Sequence, residues 1–271
     1  MGTFEHLHRV KPGSQVDLRA LDPRDTSASP GGKDDTLAAT ETLAERLAEL
    51  QDLLWATRQE RVLVVLQGID TAGKGGTIKK VLGAVNPAGL RVTSFKAPTS
   101  TELERDYLWR VHDKVPANGE IGVFDRSHYE DVLIVRVEGL VPEDRWRRRY
   151  DHINAFERLL VDEGTTVVKL FLNISKDEQR ERLQARIDEP AKRWKFHRDD
   201  LDVRARWDDY QEAFAEMLER TSTKHAPWRV IPADNKWYRN WAVAAILVET
   251  LEGLRLSWPE PEGDLSQVVI P

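Results

Sequence analysis

The sequence predicts an α/β chain: a central parallel, doubly wound sheet with helices on both faces, three layers in all, and a basic helical lid. Three observations carry this. Short β-branched and aliphatic runs alternate with longer stretches of helical periodicity. One such run, Val62 to Leu66, breaks at Gly68 into a glycine-rich loop that opens a helix. From Arg180 to Arg198, seven Lys/Arg stand against three acids (Glu181, Asp188, Glu189), a surplus of four positive charges in a chain whose net charge is −6.

Taken in order, residues 1–35 lack periodicity and carry turn chemistry at Asp22-Pro23 and around Pro30-Gly31-Gly32, which reads as an arm packed on the domain or partly ordered. Thr36 to about Arg58 has a helical stripe of Leu37, Leu43, Leu47, Leu50, Leu54 and Trp55. The first strand and loop follow, with a helix to about Val85 that Asn86-Pro87 stops. Leu90 to Phe95 is a second strand, and Glu102 to about Lys114 a helix. Ile121 to Phe124 is a buried strand ending in Asp125-Arg126-Ser127. Residues 127–140 read as helix then loop, and Pro142 to about Glu163 as a long helix. The arginines of that helix, Arg145, Arg147, Arg148 and Arg149, form either a solvated face pairing with Glu143, Asp144 and Asp151 or a second anion patch. Thr165 to Leu172 is a strand, and Ser175-Lys-Asp-Glu178 a capping box opening the next helix. Basic residues interleaved with Trp194 and Phe196 form the lid, at about residues 182–200. A helix from Asp202 to Arg220, a last strand at Trp228–Ile231 and a helix from Trp237 to Leu254 complete residues 36–254, and an extended or disordered tail occupies 255–271.

The chemistry concentrates in Gly68-Ile-Asp-Thr-Ala-Gly-Lys-Gly-Gly76. Glycines let backbone N–H groups converge on an anion, the helix N-terminus adds partial positive charge, and Lys74 adds a full one. Gly75 stands where a phosphate loop usually has the Ser or Thr that holds Mg²⁺, and a carboxylate, Asp70, sits inside the loop. An acid facing phosphates is repulsive unless a cation intervenes, so metal binding is expected to move onto carboxylates. Asp125, at a strand end downstream of the loop, is the second such carboxylate, or else caps the helix after it. His128 and His152 have no ligand partner at metal spacing.

Composition narrows the function classes. With 40% hydrophobic residues the chain can build a core, yet no apolar run reaches the roughly 18 residues of a membrane span. The N-terminus lacks the apolar segment of a signal peptide. The absence of cysteine removes disulfides, thiolate metal sites and a cysteine nucleophile. The net negative charge argues against a general nucleic-acid surface. A cytoplasmic location is expected.

At these residues the chain resembles the family-2 polyphosphate kinases, phosphate-loop kinases that move phosphate between inorganic polyphosphate and nucleotides. The resemblance runs from about Thr36 to Leu254. It rests on the loop above, on Phe124-Asp-Arg-Ser-His-Tyr-Glu-Asp-Val132, on Lys192-Arg-Trp-Lys-Phe196 and on Ile231-Pro-Ala-Asp-Asn-Lys-Trp-Tyr238. Tyr129-Glu130-Asp131 looks like the subgroup that accepts both nucleoside mono- and diphosphates. The resemblance implies that Lys74 and the backbone of Gly68, Ala72, Gly73, Gly75 and Gly76 hold polyphosphate or the phosphoryl group in transfer. It implies that Asp70 and Asp125 position Mg²⁺ (or Mn²⁺ in its place), Asp70 also orienting the attacking nucleotide. Arg126, Arg182, Arg186 and Arg193 would neutralise charge in the transition state. Lys79 and Lys80 would line a polyanion channel or simply face solvent, and Lys96, Thr99, Arg126 and Glu130 would bind the nucleotide. The expected substrates are polyphosphate with AMP, ADP and ATP, guanine nucleotides included as candidates, in a homodimer or homotetramer. Two rivals remain at this point. One is an ATP-dependent nucleoside monophosphate kinase of the thymidylate kinase type, against which Gly75 and Asp70 count. The other is a non-catalytic nucleotide sensor, which has no need of the acids.

Overall fold

The computed structural model describes Phe4, residues 6–261, Gly263, Leu265, Val268 and Ile270; the parts of the arm and tail expectations that fall on residues 1–3, 5, 262, 264, 266, 267, 269 and 271 lie outside the described residues. The elements run α1 (Lys33–Thr57), β1 (Arg61–Gln67), α2 (Lys74–Val81), β2 (Leu90–Ser94), α3 (Ser100–Leu103), α4 (Trp109–His112) and β3 (Ile121–Asp125). There follow α5 (Ile134–Val137), α6 (Glu143–Asp162), β4 (Thr165–Asn173), α7 (Lys176–Asp188), α8 (Asp199–Ala205), α9 (Trp207–Thr221), β5 (Trp228–Pro232) and α10 (Lys236–Gly253). All strand pairs are parallel, in the order β2-β3-β1-β4-β5. Six consecutive residues of β1, Val62 to Gln67, are buried, so the sheet is covered on both faces and the uninterrupted aliphatic run is accounted for. α1, α2 and α10 pack together, and α5, α6 and α9 form a second group.

The register positions the site. β1 sits centrally between β3 and β4, and Leu66 is level with Asp125, so the chain leaving β1 runs beside the chain leaving β3. The arm is packed. Its Val10 N–H donates to the Trp228 carbonyl (2.8 Å) and its His8 carbonyl accepts from Val230 (2.9 Å), making an antiparallel contact along β5. No described helix is long and apolar enough to cross a membrane.

Four helical expectations are corrected. The loop helix stops at Val81 rather than Val85, just ahead of Gly83. The helix expected over 102–114 is split into α3 and α4, because Asp106 Oδ1 accepts from the N–H groups of Leu108 and Trp109 (3.0 and 3.1 Å) and diverts the backbone into a turn. The segment after β3 is a 3₁₀ turn, His128–Val132, followed by α5, with the chain leaving helical geometry at Leu133. The helix expected from Asp202 is two, α8 and α9, broken at Arg206. The capping box at Ser175 is half made: Ser175 Oγ accepts from Glu178 N (3.0 Å), but Asp234 takes the Ser175 N–H (2.8 Å) and Glu178 turns to Arg182 (2.6 Å).

An ion network lies inside this core. Lys169 on β4 donates to Glu157 Oε2 (2.6 Å), to the Tyr129 hydroxyl (2.8 Å) and to the Thr221 carbonyl (2.6 Å), while the Tyr129 hydroxyl donates to Glu157 Oε1 (2.6 Å). The side chains of Lys169 and Glu157 are fully buried, and all three ammonium protons are used. The network ties α6, β4 and the end of α9 to the 3₁₀ turn that carries Glu130.

Candidate active site

The loop from β1 to α2 is held in a conformation that ordinary residues resist. Thr71 has φ 70° and Gly73 has φ 104°, and across the crevice Arg126, the first residue past β3, has φ 62°. Non-glycine residues in the left-handed region are uncommon and persist where surrounding bonds determine them. Here the Arg126 N–H donates to the Leu66 carbonyl (3.1 Å) and locks the two strand ends together. A side chain at Gly73 would place its Cβ 2.0 Å from Arg239 Nη1. Gly73→Ala is therefore expected to destabilise the fold by about 1–3 kcal/mol and to lower turnover by distorting the loop. Thermal unfolding and steady-state kinetics of that variant check both effects.

Two arginines grip the loop from behind. Arg182 Nη1 donates to the Thr71 and Ala72 carbonyls (both 2.9 Å), Nη2 to those of Ala233 and Asp234 (2.7 and 3.1 Å), and Nε to Glu178. Every donor of Arg182 is thus engaged within the protein, and it shapes the loop. Arg239 is buried, reaches the Ala72 carbonyl at 3.4 Å, and has its pKa lowered to about 10 by burial and by neighbouring Arg182. Neither the sequence spacing nor the lid composition marks Arg239 or gives Arg182 this place.

In front of the loop the charged groups converge. Arg126 forms an ion pair with Asp70. Burial disfavours the Asp70 carboxylate, but Arg126 and Lys74 outweigh it and hold the carboxyl below its usual range. Lys74 is buried and donates to the Gly68 carbonyl (2.7 Å). Burial first, then Arg126, lower its pKa against the opposing pull of Asp70, Asp125 and Glu130. Burial raises Glu130, partly offset by Arg126 and Lys74. With its oxygen toward Ser127, the Gln67 amide donates to Glu130 Oε1 at 3.1 Å. Asp70, Lys74, Asp125, Arg126 and Glu130 therefore form one electrostatic cluster at the C-terminal ends of β1 and β3. Ahead of them, α2 begins without a side-chain cap, and nothing would obstruct a Cβ at Gly75.

Other candidates lie elsewhere. Arg186 is close enough to contribute to the lowering of Asp70, but its Nη1 donates to the Lys195 carbonyl and Asp200, holding the lid turn. Arg193 is exposed, with Nε on the Ile187 carbonyl. Lys79 and Lys80 are exposed on α2. Lys96 and Thr99 are not joined to the cluster among the described contacts: the Lys96 carbonyl accepts from Arg110, and Thr99 caps α3.

Oxygen donors suit a hard divalent cation. No group of three or more potential protein ligands is assembled among the described residues. Mg²⁺ commonly needs only one or two carboxylates, completing its shell with water and substrate phosphates, so Asp70 and Asp125 fit it in that manner.

A parallel sheet whose central strand feeds a glycine-bounded loop, with an uncapped helix N-terminus, a buried lysine and carboxylates at the strand ends, defines an α/β protein of the phosphotransfer class. Residues 31–257 match the family model described as polyphosphate kinase 2, and the chain belongs to that family. The AMP/ADP-polyphosphate phosphotransferase of Meiothermus ruber is 57% identical over 97% of this chain and 98% of its own length. The ADP-polyphosphate phosphotransferase of Rhodopseudomonas palustris is 44% identical over 93% and 91%. The crystal structure of polyphosphate kinase 2 from Arthrobacter aurescens TC1 superposes with a TM-score of 0.93 at 48% identity, covering 97% of this chain and 94% of that one.

Proposed function

We propose that this chain is a polyphosphate-dependent nucleotide kinase that reversibly transfers the terminal phosphoryl group of inorganic polyphosphate to AMP and ADP. The observation that carries the reading is a carboxylate inside the phosphate-binding loop, Asp70, ion-paired with Arg126 and beside buried Lys74, in a chain of the polyphosphate kinase 2 family. The acceptance of both nucleotides is supported by the relative from Meiothermus ruber, whose name carries both.

The loop amides, the α2 N-terminus and Lys74 bind the phosphate chain and draw off charge as it moves to the leaving oxygen. An acceptor phosphate oxygen attacks the terminal phosphorus, the bridging P–O bond breaks, and the donor leaves one unit shorter. Arg126 has donors for the group in transfer, and its tie to Asp70 orients it. The Glu130 carboxyl, its pKa raised by burial, accepts from Gln67 and would bind the acceptor nucleotide. Bound between Asp70 and Asp125, Mg²⁺ (or Mn²⁺) would supply charge neutralisation between the two sets of phosphates. Lys79, Lys80 and Arg193 are exposed cations that extend the path of the polyanion. One phosphoanhydride replaces another, so the equilibrium is near balance and concentrations set its direction. The absence of cysteine is compatible with the cytoplasm, where the chain works as a homodimer or homotetramer.

Transfer is direct, with positioning and electrostatics supplying the acceleration. Mixing the protein with Mg²⁺ and radiolabelled polyphosphate, without nucleotide, is expected to leave no label on acid-quenched protein. Adding AMP should then give labelled ADP and ATP. Stable label on the protein would contradict direct transfer, and inertness towards AMP with activity towards ADP would contradict the dual acceptor.

A further inference from the structure

Away from the charged cluster, a cavity of about 520 Å³ opens between the α3–α4 segment and the N-terminal half of α6, within the size range of small-molecule sites. Five arginines and three carboxylates line it, a surplus of two positive charges. The carboxylates are already committed. Glu102 Oε2 accepts from the Thr99 N–H (2.7 Å), Asp106 caps the turn before α4, and Asp131 binds Arg149 Nη1 (2.7 Å).

The floor is built and rigid. Arg110 and Arg149 are each only 9% exposed at the side chain. Arg110 Nη1 is fixed by the Lys96 carbonyl (2.8 Å), and the Arg149 guanidinium lies over the Tyr107 ring at 4.5 Å. The rim is different. The Arg145 side chain has no hydrogen bond or ion pair with another described residue among the contacts of this structure, and the Arg105 guanidinium stacks on Trp109 (4.3 Å). Arg148 reaches Asp144 at 3.4 Å in a solvent-exposed pair, the kind that contributes little. The α6 arginines therefore do not form a uniform solvated face. Arg147 pairs with Glu143 and Glu216 away from the cavity, whereas Arg145, Arg148 and Arg149 line it. Desolvated guanidiniums below and uncommitted ones above make a site for multiply charged oxyanions, which the planar guanidinium recognises through paired N–H groups.

We propose that this cavity is a second binding site for a phosphate-rich anion, separate from the phosphate loop. The anion is either a length of polyphosphate or the phosphate group of a nucleotide. Pro98 forms part of the cavity wall, so the site adjoins the loop that leaves β2 on the active face of the sheet.

The test is calorimetric titration of the full chain, at low ionic strength, with tripolyphosphate and separately with AMP. The wild type is compared with an Arg145→Ser/Arg148→Ser variant, whose altered side chains are exposed and leave the floor intact. The wild type should take up two equivalents of at least one probe. In the double variant the second equivalent should weaken by about tenfold or more, and it should weaken with added salt in the wild type. Which probe shows two equivalents identifies the source of the phosphate. A Lys74→Met variant should keep the second equivalent while losing turnover, so a failure of the activity reading is seen separately in the rate assay. A single equivalent of each probe in the wild type, or a double variant that titrates as the wild type does, would overturn the proposal.

Discussion

Lys74→Met is expected to reduce kcat by about 10²–10³-fold with a much smaller effect on the stability of the fold. The first part follows from the role of a preorganised cation at developing phosphate charge, where loss of one such donor costs rates of that order. The second follows from linkage. Burial and Arg126 hold the folded pKa of Lys74 below its free value. A lysine so placed is charged at a cost to the fold at pH below that folded pKa, and the cost fades as pH rises through it. Methionine fills similar volume and removes that cost, against which stands the loss of a cation that helps hold Asp70 ionised, so the two largely offset. A parallel fall in activity and Tm would mean that Lys74 is structural. A variant with unchanged kcat would remove it from the transfer step.

Lys169→Met should have the largest effect on stability. Breaking one half of a buried ion pair strands the other charge, at a cost of about 3–5 kcal/mol. In a chain of this size that lowers Tm by roughly 10 °C. Glu157 is held below its usual range by Lys169 and His128 against the opposing effect of burial, so the substitution takes away its main countercharge inside the core. Adding Glu157→Gln should recover part of the loss, because the stranded charge then disappears. Turnover should fall as well, since Tyr129, bonded to both partners, anchors the 3₁₀ turn bearing Glu130. Thermal unfolding of the single and double variants gives the test, and a single variant within a degree of the parent Tm would refute the account of the network.

What could be read in the sequence was local. Four of the five strands were legible because each is a mostly buried run, the half-exposed edge strand β2 because of its β-branched Val92 and Thr93, and the loop because glycine, lysine and helix onset fall within a few residues. The meeting of Asp70, Lys74 and Asp125 follows from a parallel sheet with carboxylates at its strand ends. Two kinds of feature were not legible. Side chains that compete with the backbone, such as Asp106, break helices whose apolar spacing is intact. Contacts made across a hundred or more residues leave no spacing to detect. Arg182 sits among the basic residues of the lid segment, yet its guanidinium is spent on carbonyls of the loop and of the chain after β5, and Arg239 lies in a helix whose composition speaks only of burial. The α6 arginines show the same limit, since the identities of their partners decide which of them remain uncommitted.

The most direct measurement is a comparison of phosphoryl donors. The protein with Mg²⁺ and ADP is supplied with long-chain polyphosphate, and the protein with Mg²⁺ and AMP is supplied with ATP as the only donor. The account predicts ATP from polyphosphate and ADP, with the polyphosphate shortened in step. Conversion of AMP by ATP, with no ATP formed from polyphosphate, would contradict it and point to an ATP-dependent nucleoside monophosphate kinase.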